Sequence, residues 1–172
     1  MRRYLLSLGS SIGNRKANLC LALRYIDSDL GDIEAVSDIF YSKPWGGVAK
    51  NEFYNISLVL RTQFSPPELI EKIHDIESTM GRVRVKKWED RIIDIDIILY
   101  KNEYGISVSM ETSYLTIPHP KLKERSFMWA PSVQVASDWT HPQYGVTLSE
   151  LFPSTNFDTG EGFLKENLQI NI

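Results

Sequence analysis

The chain has 172 residues, of which 19 are basic and 22 acidic, giving a formal net charge of −3. This length suits one domain with its own hydrophobic core. The absence of a basic excess argues against a nucleic-acid partner, and no stretch approaches the roughly 20 apolar residues of a membrane span. Because Cys20 is the only cysteine, an internal disulfide is excluded, and a reduced, cytoplasmic setting is expected.

The first 60 residues have the patterns of strands and one helix. Residues 4–8 predict a strand that ends in the turn-rich GSSIGN, and from Arg15 apolar residues recur at helical spacing up to Gly31. Residues 33–41 predict an extended segment. Residues 53–60 alternate, so the even-numbered side chains should share one face of a strand and the odd-numbered ones the other.

The next helix has clear boundaries in the sequence. Ser65 can cap it, Pro66 fits its first position, Glu68 completes a capping box, and Gly81 is a natural end. Further on, the patterns predict strands at 92–100, 106–108 and 114–117, and helices at 126–136 and 148–152.

This order predicts an α+β fold with a ferredoxin-like β-α-β-β-α-β core, in which helices pack on a mostly antiparallel sheet and C-terminal elements are added. Residues 1–152 should form the domain. Residues 153–172 are polar and weakly patterned, and we expect a partly disordered tail there.

Asp94 and Asp96 are the most informative pair of side chains. Because strand side chains alternate, both carboxylates should project from one face, which they share with the apolar Ile92, Ile98 and Tyr100. Two carboxylates in such surroundings repel each other and resist desolvation, and a bound cation relieves both costs. The alternative is an exposed strand with two solvated aspartates.

The segment just before these aspartates is strongly basic. It holds Arg82, Arg84, Lys86, Lys87 and Arg91, five cations within ten residues. Magnesium prefers a few carboxylates together with substrate phosphates, and arginine stabilises phosphate charge. The sequence has no GxxxxGK[ST] loop and no zinc-type histidine spacing. His119 could reach a phosphate from its turn between two prolines, although a lone histidine is more often structural.

Five segments in this order resemble the 6-hydroxymethyl-7,8-dihydropterin pyrophosphokinase family of folate synthesis. They are LSLGSSIGNR, KPWGG with FYNISLVL, IESTMGRVR, KWEDRIIDIDIILY and LTIPHPKLKERSFMWAP, and they run from about residue 4 to residue 152. The resemblance implies transfer of pyrophosphate from ATP to the hydroxymethyl-dihydropterin, with release of AMP. We expect the chain to act as a monomer on these small-molecule substrates.

The resemblance also implies roles for individual residues. Two magnesium ions would be held by Asp94 and Asp96, with Arg82 and Arg91 completing the catalytic set on the transferring phosphates. The residues implied in ATP binding are Arg82, Arg84, Trp88, Arg91, Thr116, His119 and Arg125. In the pterin site, Asn55 would bind the polar edge of the ring, and Phe53 and Phe127 would sandwich it. Ser42, Pro44 and Trp45 would complete that site.

One departure from the family bears on mechanism. The usual WGPR segment is Trp88-Glu89-Asp90-Arg91 here. We expect residues 83–90 to be mobile before ligands bind, and the two acids to oppose ATP through like-charge repulsion unless Lys86 or Lys87 pairs with them. Two other functions stay open at this point: a non-catalytic pterin or nucleotide binder, and a single-strand RNA-binding module on the same fold.

Overall fold

The structure is a computed structural model that describes residues 1–43, 51–82, 90–153 and 162–164. Its strands are β1 (Arg2–Ser10), β2 (Asp32–Val36), β3 (Ile39–Ser42), β4 (Phe53–Thr62), β5 (Asp94–Lys101), β6 (Met110–Glu111), β7 (Thr116–Ile117) and β8 (Gly162–Leu164). Its helices are α1 (Arg15–Asp29), α2 (Pro66–Thr79), α3 (Ser126–Ala136) and α4 (Leu148–Leu151).

The described strands form one large antiparallel sheet and one small one. In the large sheet the order is β5-β1-β4-β3-β8, and β2 also pairs with β4. The small sheet pairs β6 with β7. The predicted β-α-β-β-α-β core is therefore confirmed, with one refinement. The expected single segment 33–41 is two strands, because the hydroxyl of Ser37 turns inward and accepts a hydrogen bond from the backbone N–H of Ser57 (2.9 Å).

The two long helices begin and end where the sequence predicts. The Asn14 side chain caps α1 by accepting from the Ala17 N–H (3.0 Å). At the start of α2, the backbone N–H and the hydroxyl of Ser65 both donate to the Glu68 carboxylate. Gly31 follows α1 at φ +143°, where an added Cβ would lie 2.4 Å from the backbone oxygen of Arg61, so only glycine fits this close approach.

Helices cover both faces of the large sheet. On one face, α1 and α2 pack over a core whose members include Leu6, Leu23, Leu58 and Ile73. On the other face, α3 packs over a smaller core whose members include Leu5, Val59 and Met128. The alternation predicted for residues 53–60 is confirmed, because the even-numbered residues face α1 and α2 and Val59 faces α3.

The alternation predicted for β5 is wrong at its end. The pairing of β1 with β5 shifts by one residue between Leu5 and Leu6, which leaves Ile98 outside the register. Beyond that bulge the faces exchange. Tyr100 consequently lies on the α1 and α2 side, stacked on Tyr4 at 4.9 Å, and Leu99 lies on the α3 side with Ile98. Asp94 and Asp96 precede the bulge, so their common face is unaffected.

The segment after Phe152 contributes one strand. Gly162–Leu164 pairs antiparallel with β3 at the edge of the large sheet, an element that the weak pattern of this region did not predict. The rest of the expected tail lies outside the described residues apart from Pro153, and its disorder stays a prediction. No helix among the described residues is long and apolar enough to cross a membrane.

Candidate active site

Three strands bring two of the predicted site residues, Asp94 and Asn55, onto one face of the sheet. Gly9 on β1 is paired with Asp94 on β5 and with Asn55 on β4. Residues paired in antiparallel strands point to the same face, so the Asp94 carboxylate and the Asn55 amide lie on the α3 side with Gly9 between them. Because neighbouring strands are about 4.8 Å apart, the two backbones are separated by about 10 Å.

The two aspartates form an electrostatically strained pair. Both are half-buried, and Asp96 is paired with Ser7 on β1. Burial, and then the nearby charge of Asp94, raise the pKa of the Asp96 carboxyl group above its ordinary value. Each of these causes disfavours the ionised form, and a divalent cation bound to both carboxylates would reverse both of them.

The donor set fits magnesium that is shared with a phosphorylated ligand. Among the described residues, no group of three or more His, Cys, Asp and Glu side chains is placed to hold a metal ion by itself. Magnesium, however, is usually held by one or two carboxylates together with phosphate oxygens and water. Asp94 and Asp96 supply the two carboxylates of such a site.

Two of the predicted arginines converge on Asp94. Arg82 donates to one carboxylate oxygen (2.8 Å), and Arg91 forms an ion pair with the other. Arg82 also pairs with Glu77 and is held in place by it, and only 13% of its side chain is exposed. Arg82 and Arg91, the first and last residues of the basic segment, therefore border the aspartate site at Asp94.

Glu77 is the site residue that the sequence did not predict. It is 2% exposed, and its carboxylate accepts a hydrogen bond from the backbone N–H of Ile95 (2.8 Å) in addition to its ion pair with Arg82. Its backbone oxygen accepts from the N–H of Arg82 (3.0 Å), so Glu77 holds both the backbone and the guanidinium of Arg82. Burial raises the pKa of the Glu77 carboxyl group, and the charge of Arg82 opposes that effect.

His119 and Arg125 lie close enough to the aspartates for their charges to interact. The N–H of His119 donates to the backbone oxygen of Ile98 (3.0 Å), which ties the segment after β7 to β5. Burial, and then the charge of Arg125, lower the pKa of His119 to about 4. The imidazole is thus neutral at pH 7, and since its Nδ1 accepts from the Lys121 N–H (3.1 Å), the proton is on Nε2. The positive charge of Arg125 also acts on Asp96, where it partly opposes the rise in pKa that burial and Asp94 cause.

Asp94, Gly9 and Asn55 form a row across three strands. At the Asn55 end of this row, the side chain is almost completely buried and firmly held. It is 2% exposed, and its amide nitrogen donates to the hydroxyl of Ser42 (2.9 Å) and to the backbone oxygen of Phe40 (3.3 Å). These bonds fix the orientation of the amide, which leaves Oδ1 on the side of Gly9. The group that Asn55 presents to this face is therefore an acceptor.

Gly9 keeps the surface between the two ends of the row open. A Cβ at this position would lie 3.1 Å from the Asn55 Oδ1 and 3.5 Å from the ring of Phe53. A side chain here would consequently fill the space that borders both groups. The glycine is required for space, whereas its sequence context predicts only a turn.

The remaining predicted residues divide into described and undescribed ones. Phe53 and Phe127 are half-buried, and Arg125 lies 5.7 Å from the centre of the Phe127 ring. Thr116 is on β7, paired with Glu111. Pro44, Trp45, Arg84 and Trp88 lie outside the described residues, as does most of the loop 83–90 that we expect to be mobile, so these expectations stay predictions.

Ser11 is a second residue that the sequence did not single out. It is 3% exposed, its N–H donates to the backbone oxygen of Arg91 (2.9 Å), and its hydroxyl accepts from the Arg91 N–H (2.8 Å). The end of β1 thereby fixes the backbone of an arginine that pairs with Asp94. No local pattern indicates such a contact, because the two residues are 80 positions apart.

Comparison with known proteins gives one family. The family model for 7,8-dihydro-6-hydroxymethylpterin-pyrophosphokinase matches residues 5–137. A 2-amino-4-hydroxy-6-hydroxymethyldihydropteridine pyrophosphokinase of Aquifex aeolicus is 36% identical over 153 residues, covering 89% of this chain and 92% of that protein. The protein of the same name from Bacillus subtilis is 33% identical over 131 residues, covering 76% of this chain and 75% of its own length.

A solved structure shares the fold. The crystal structure of Plasmodium falciparum HPPK-DHPS with SDX-DHP matches with a TM-score of 0.69 at 16% identity. The match covers 88% of this chain and 44% of that longer chain, so this chain spans less than half of the solved protein. This likeness supports the α+β fold.

The buried position of Glu77 generates a stability prediction. Glu77→Ala should lower the free energy of unfolding by about 3 kcal/mol, because it leaves the Arg82 charge and the Ile95 N–H without their buried carboxylate. Glu77→Gln should cost less, since its amide oxygen can still accept from Ile95. Urea denaturation measures both, with Glu71→Ala, an exposed position on the same helix, as the control. Equal losses for Glu77→Ala and Glu71→Ala would refute the structural role of Glu77.

Proposed function

This chain belongs to the 7,8-dihydro-6-hydroxymethylpterin-pyrophosphokinase family, and on that premise we propose that the row Asp94–Gly9–Asn55 is where its reaction takes place. The protein is an ATP-dependent pyrophosphokinase of folate biosynthesis. It transfers pyrophosphate from ATP to 6-hydroxymethyl-7,8-dihydropterin, and the products are the pterin diphosphate and AMP.

The observation that carries the assignment is the placement of two chemically different sites on β5 and β4, the two strands that flank β1. The β5 end has two carboxylates bordered by arginines, which suits a metal-bound polyphosphate. The β4 end has a buried amide next to an aromatic ring, which suits a flat heterocycle with a polar edge. A bicyclic ring with a one-carbon arm has about the length needed to join them across Gly9.

At the phosphate end, Arg82 and Arg91 would bind the transferring β- and γ-phosphates. Both already lie on Asp94, so binding of ATP with its metal would exchange ion pairs within the site. Asp94 would hold the metal, and the guanidiniums of Arg82 and Arg91 would turn to phosphate oxygens. Arginine suits this role, because its planar fork binds two oxygens at once.

Two magnesium ions are the proposed cofactors, held by Asp94 and Asp96. When bound, they would supply positive charge to the phosphate oxygens and acidify the hydroxyl group of the substrate. The raised pKa of Asp96 supports this role, because a carboxylate that is costly to ionise alone gains most from a cation.

His119 and Arg125 would assist on the nucleotide side, with Thr116 nearby in sequence. A neutral His119 with its proton on Nε2 is a hydrogen-bond donor. It would therefore bind a phosphate oxygen as a donor, and the negative charge of a bound polyphosphate would raise its pKa from the ligand-free value. Arg125 supplies the charge on this side, as its effect on the pKa of Asp96 indicates.

At the pterin end, Asn55 would accept a hydrogen bond through Oδ1. Since its amide nitrogen is engaged by Ser42 and Phe40, an N–H group on the ring edge is the complementary partner. Phe53 and Phe127 would pack on the two faces of the ring, and Ser42 would act by orienting Asn55. Pro44 and Trp45 stay candidates for the rest of this site.

The chemical step would then depend on positioning and electrostatics. The pterin's hydroxymethyl oxygen would attack the β-phosphorus in line and lose its proton to solvent, while the bond from the β-phosphorus to the bridging oxygen of the α-phosphate breaks and AMP leaves. We assign no protein side chain as a general base. The residues on this face align the oxygen with the phosphorus and stabilise the charge on the phosphates, effects that can lower a barrier substantially.

The activity and its metal site are tested together by release of AMP. The wild-type protein should release AMP from ATP only when the dihydropterin and magnesium are present. Asp94→Asn and Asp96→Asn should each reduce the rate by at least about a hundredfold, since each removes a group that stabilises charge in the transition state. Asp138→Asn, at an exposed position, should have no effect.

Stability should separate the two aspartates. Asp96→Asn should not destabilise the protein, because the folded state disfavours its charge. Asp94→Asn should destabilise it, because Arg82 and Arg91 lose a charged partner.

Near-normal activity of either variant in magnesium would contradict the metal assignment. A wild-type protein that binds both ligands but releases no AMP would favour a non-catalytic binder.

A separate prediction concerns recognition of the pterin. Asn55→Ala should weaken dihydropterin binding by roughly 1–3 kcal/mol, because a buried polar group on the ring loses its partner. Binding of ATP should barely change, since Asn55 lies at the far end of the row. Calorimetric titration with each ligand measures this, and an equal loss for both ligands would count against a pterin role for Asn55.

A further inference from the structure

Asp90 makes a contact that the proposed function does not use. Its two carboxylate oxygens accept hydrogen bonds from Asn51, one from the backbone N–H (3.2 Å) and one from the side-chain amide (2.9 Å). Asn51 lies two residues before Phe53, where β4 begins, and is 39 positions away from Asp90 in the sequence. A single carboxylate thus joins the segment before β5 to the beginning of the strand that carries Asn55.

The residue after Asp90 is held from the other side. The backbone N–H and C=O of Arg91 are both bonded to Ser11, at 2.8 and 2.9 Å. Asp90 and Arg91 are therefore fixed to two different strands, Asp90 to the start of β4 and Arg91 to the end of β1. The Arg91 guanidinium, which pairs with Asp94, extends from this fixed backbone.

The start of β4 is held at a further point. Arg15, the first residue of α1, donates to the backbone oxygen of Glu52 (2.8 Å), and its guanidinium lies 4.0 Å from the centre of the Tyr54 ring. Arg15 therefore anchors the start of β4 to α1, and the bonds from Asn51 attach Asp90 to this anchored strand end.

We propose that Asp90 is a positioning residue that couples the pterin end of the site to its phosphate end, an inference that rests on the proposed function. Its bonds to Asn51 fix the backbone on which Arg91 stands relative to the strand that carries Phe53 and Asn55. A carboxylate is suited to this task, because it accepts two N–H groups at once in charge-assisted bonds. This positioning role is additional to the expected repulsion of ATP by Asp90, which stays a prediction.

Exchanging the two side chains provides a test that keeps the net charge constant. Asp90→Asn removes one of the two acceptors, and Asn51→Asp places two carboxylates against each other. The double variant Asn51→Asp/Asp90→Asn restores one carboxylate facing one amide, and the amide oxygen introduced at position 90 could still accept from the backbone N–H of residue 51. Asp75→Asn, at an exposed position on α2, controls for the change of charge.

The readout is the coupling between the two ligands. The dihydropterin dissociation constant is measured by calorimetry with and without a non-hydrolysable ATP analogue and magnesium, and their ratio is the coupling factor, which linkage makes the same for either order of binding. Each single variant should lower this factor and reduce kcat/KM by about tenfold, as small misplacements of reacting groups do. The exchange should restore both, and the Asp75→Asn control should change neither.

The contact itself is tested without activity or ligand. Hydrogen exchange of the Asn51 backbone amide should become faster in Asp90→Ala, while the unfolding midpoint stays the same, since the bonds lie at the protein surface. Failure of the proposed function would appear as a wild-type protein without AMP release. The inference on Asp90 is overturned if the wild type is active but shows no coupling, if the single variants keep normal coupling, or if the exchange fails to restore it.

Discussion

The register of β1 against its two neighbours is the constraint on which the site depends. Gly9 is paired with Asp94 on one side and with Asn55 on the other, and a slip of one residue in either pairing would turn one of these side chains to the opposite face. The alternating apolar residues of β1 and β4, packed under α1 and α2, hold that register. Burial of the core on one face of the sheet therefore fixes the alignment of the polar groups on the other.

A second consequence of this arrangement is electrostatic. The sheet brings Asp94 and Asp96 together, and the end of α2 adds Glu77, a third carboxylate, beneath them. Arg82 lies between Glu77 and Asp94 and pairs with both. The proposed phosphate site is thus assembled from charges that are already paired inside the protein, which lowers the cost of keeping arginines in place before a polyphosphate arrives.

The sequence could predict what depends on local pattern. The capping box at Ser65 and the alternation of residues 53–60 were sufficient for α2 and for the faces of β4. The pair Asp94 and Asp96 shares a face as predicted, because it precedes the bulge. Tyr100 follows the bulge and lies on the face opposite to the predicted one, since an irregularity in pairing has no counterpart in the sequence of a single strand.

Residues that act through long-range contacts could not be predicted in this way. Glu77 sits within an ordinary amphipathic helix, and only the packing of α2 on β5 makes it a buried partner of Arg82. We expect Asp90 to repel ATP unless Lys86 or Lys87 pairs with it, and the fold adds a contact with Asn51, which lies just before a different strand. Gly9 likewise gains its importance only from the side chains that surround it.

The central claim is that the substrates span the row from Asn55 to Asp94 in one orientation. A crystal structure of this protein with magnesium, a non-hydrolysable ATP analogue and the dihydropterin tests it most directly. We expect the polar edge of the pterin on the Asn55 Oδ1, the ring over Gly9, and the hydroxymethyl group directed to metal ions held by Asp94 and Asp96. A pterin bound away from Gly9, or reversed so that its polar edge faces Asp94, would contradict the account.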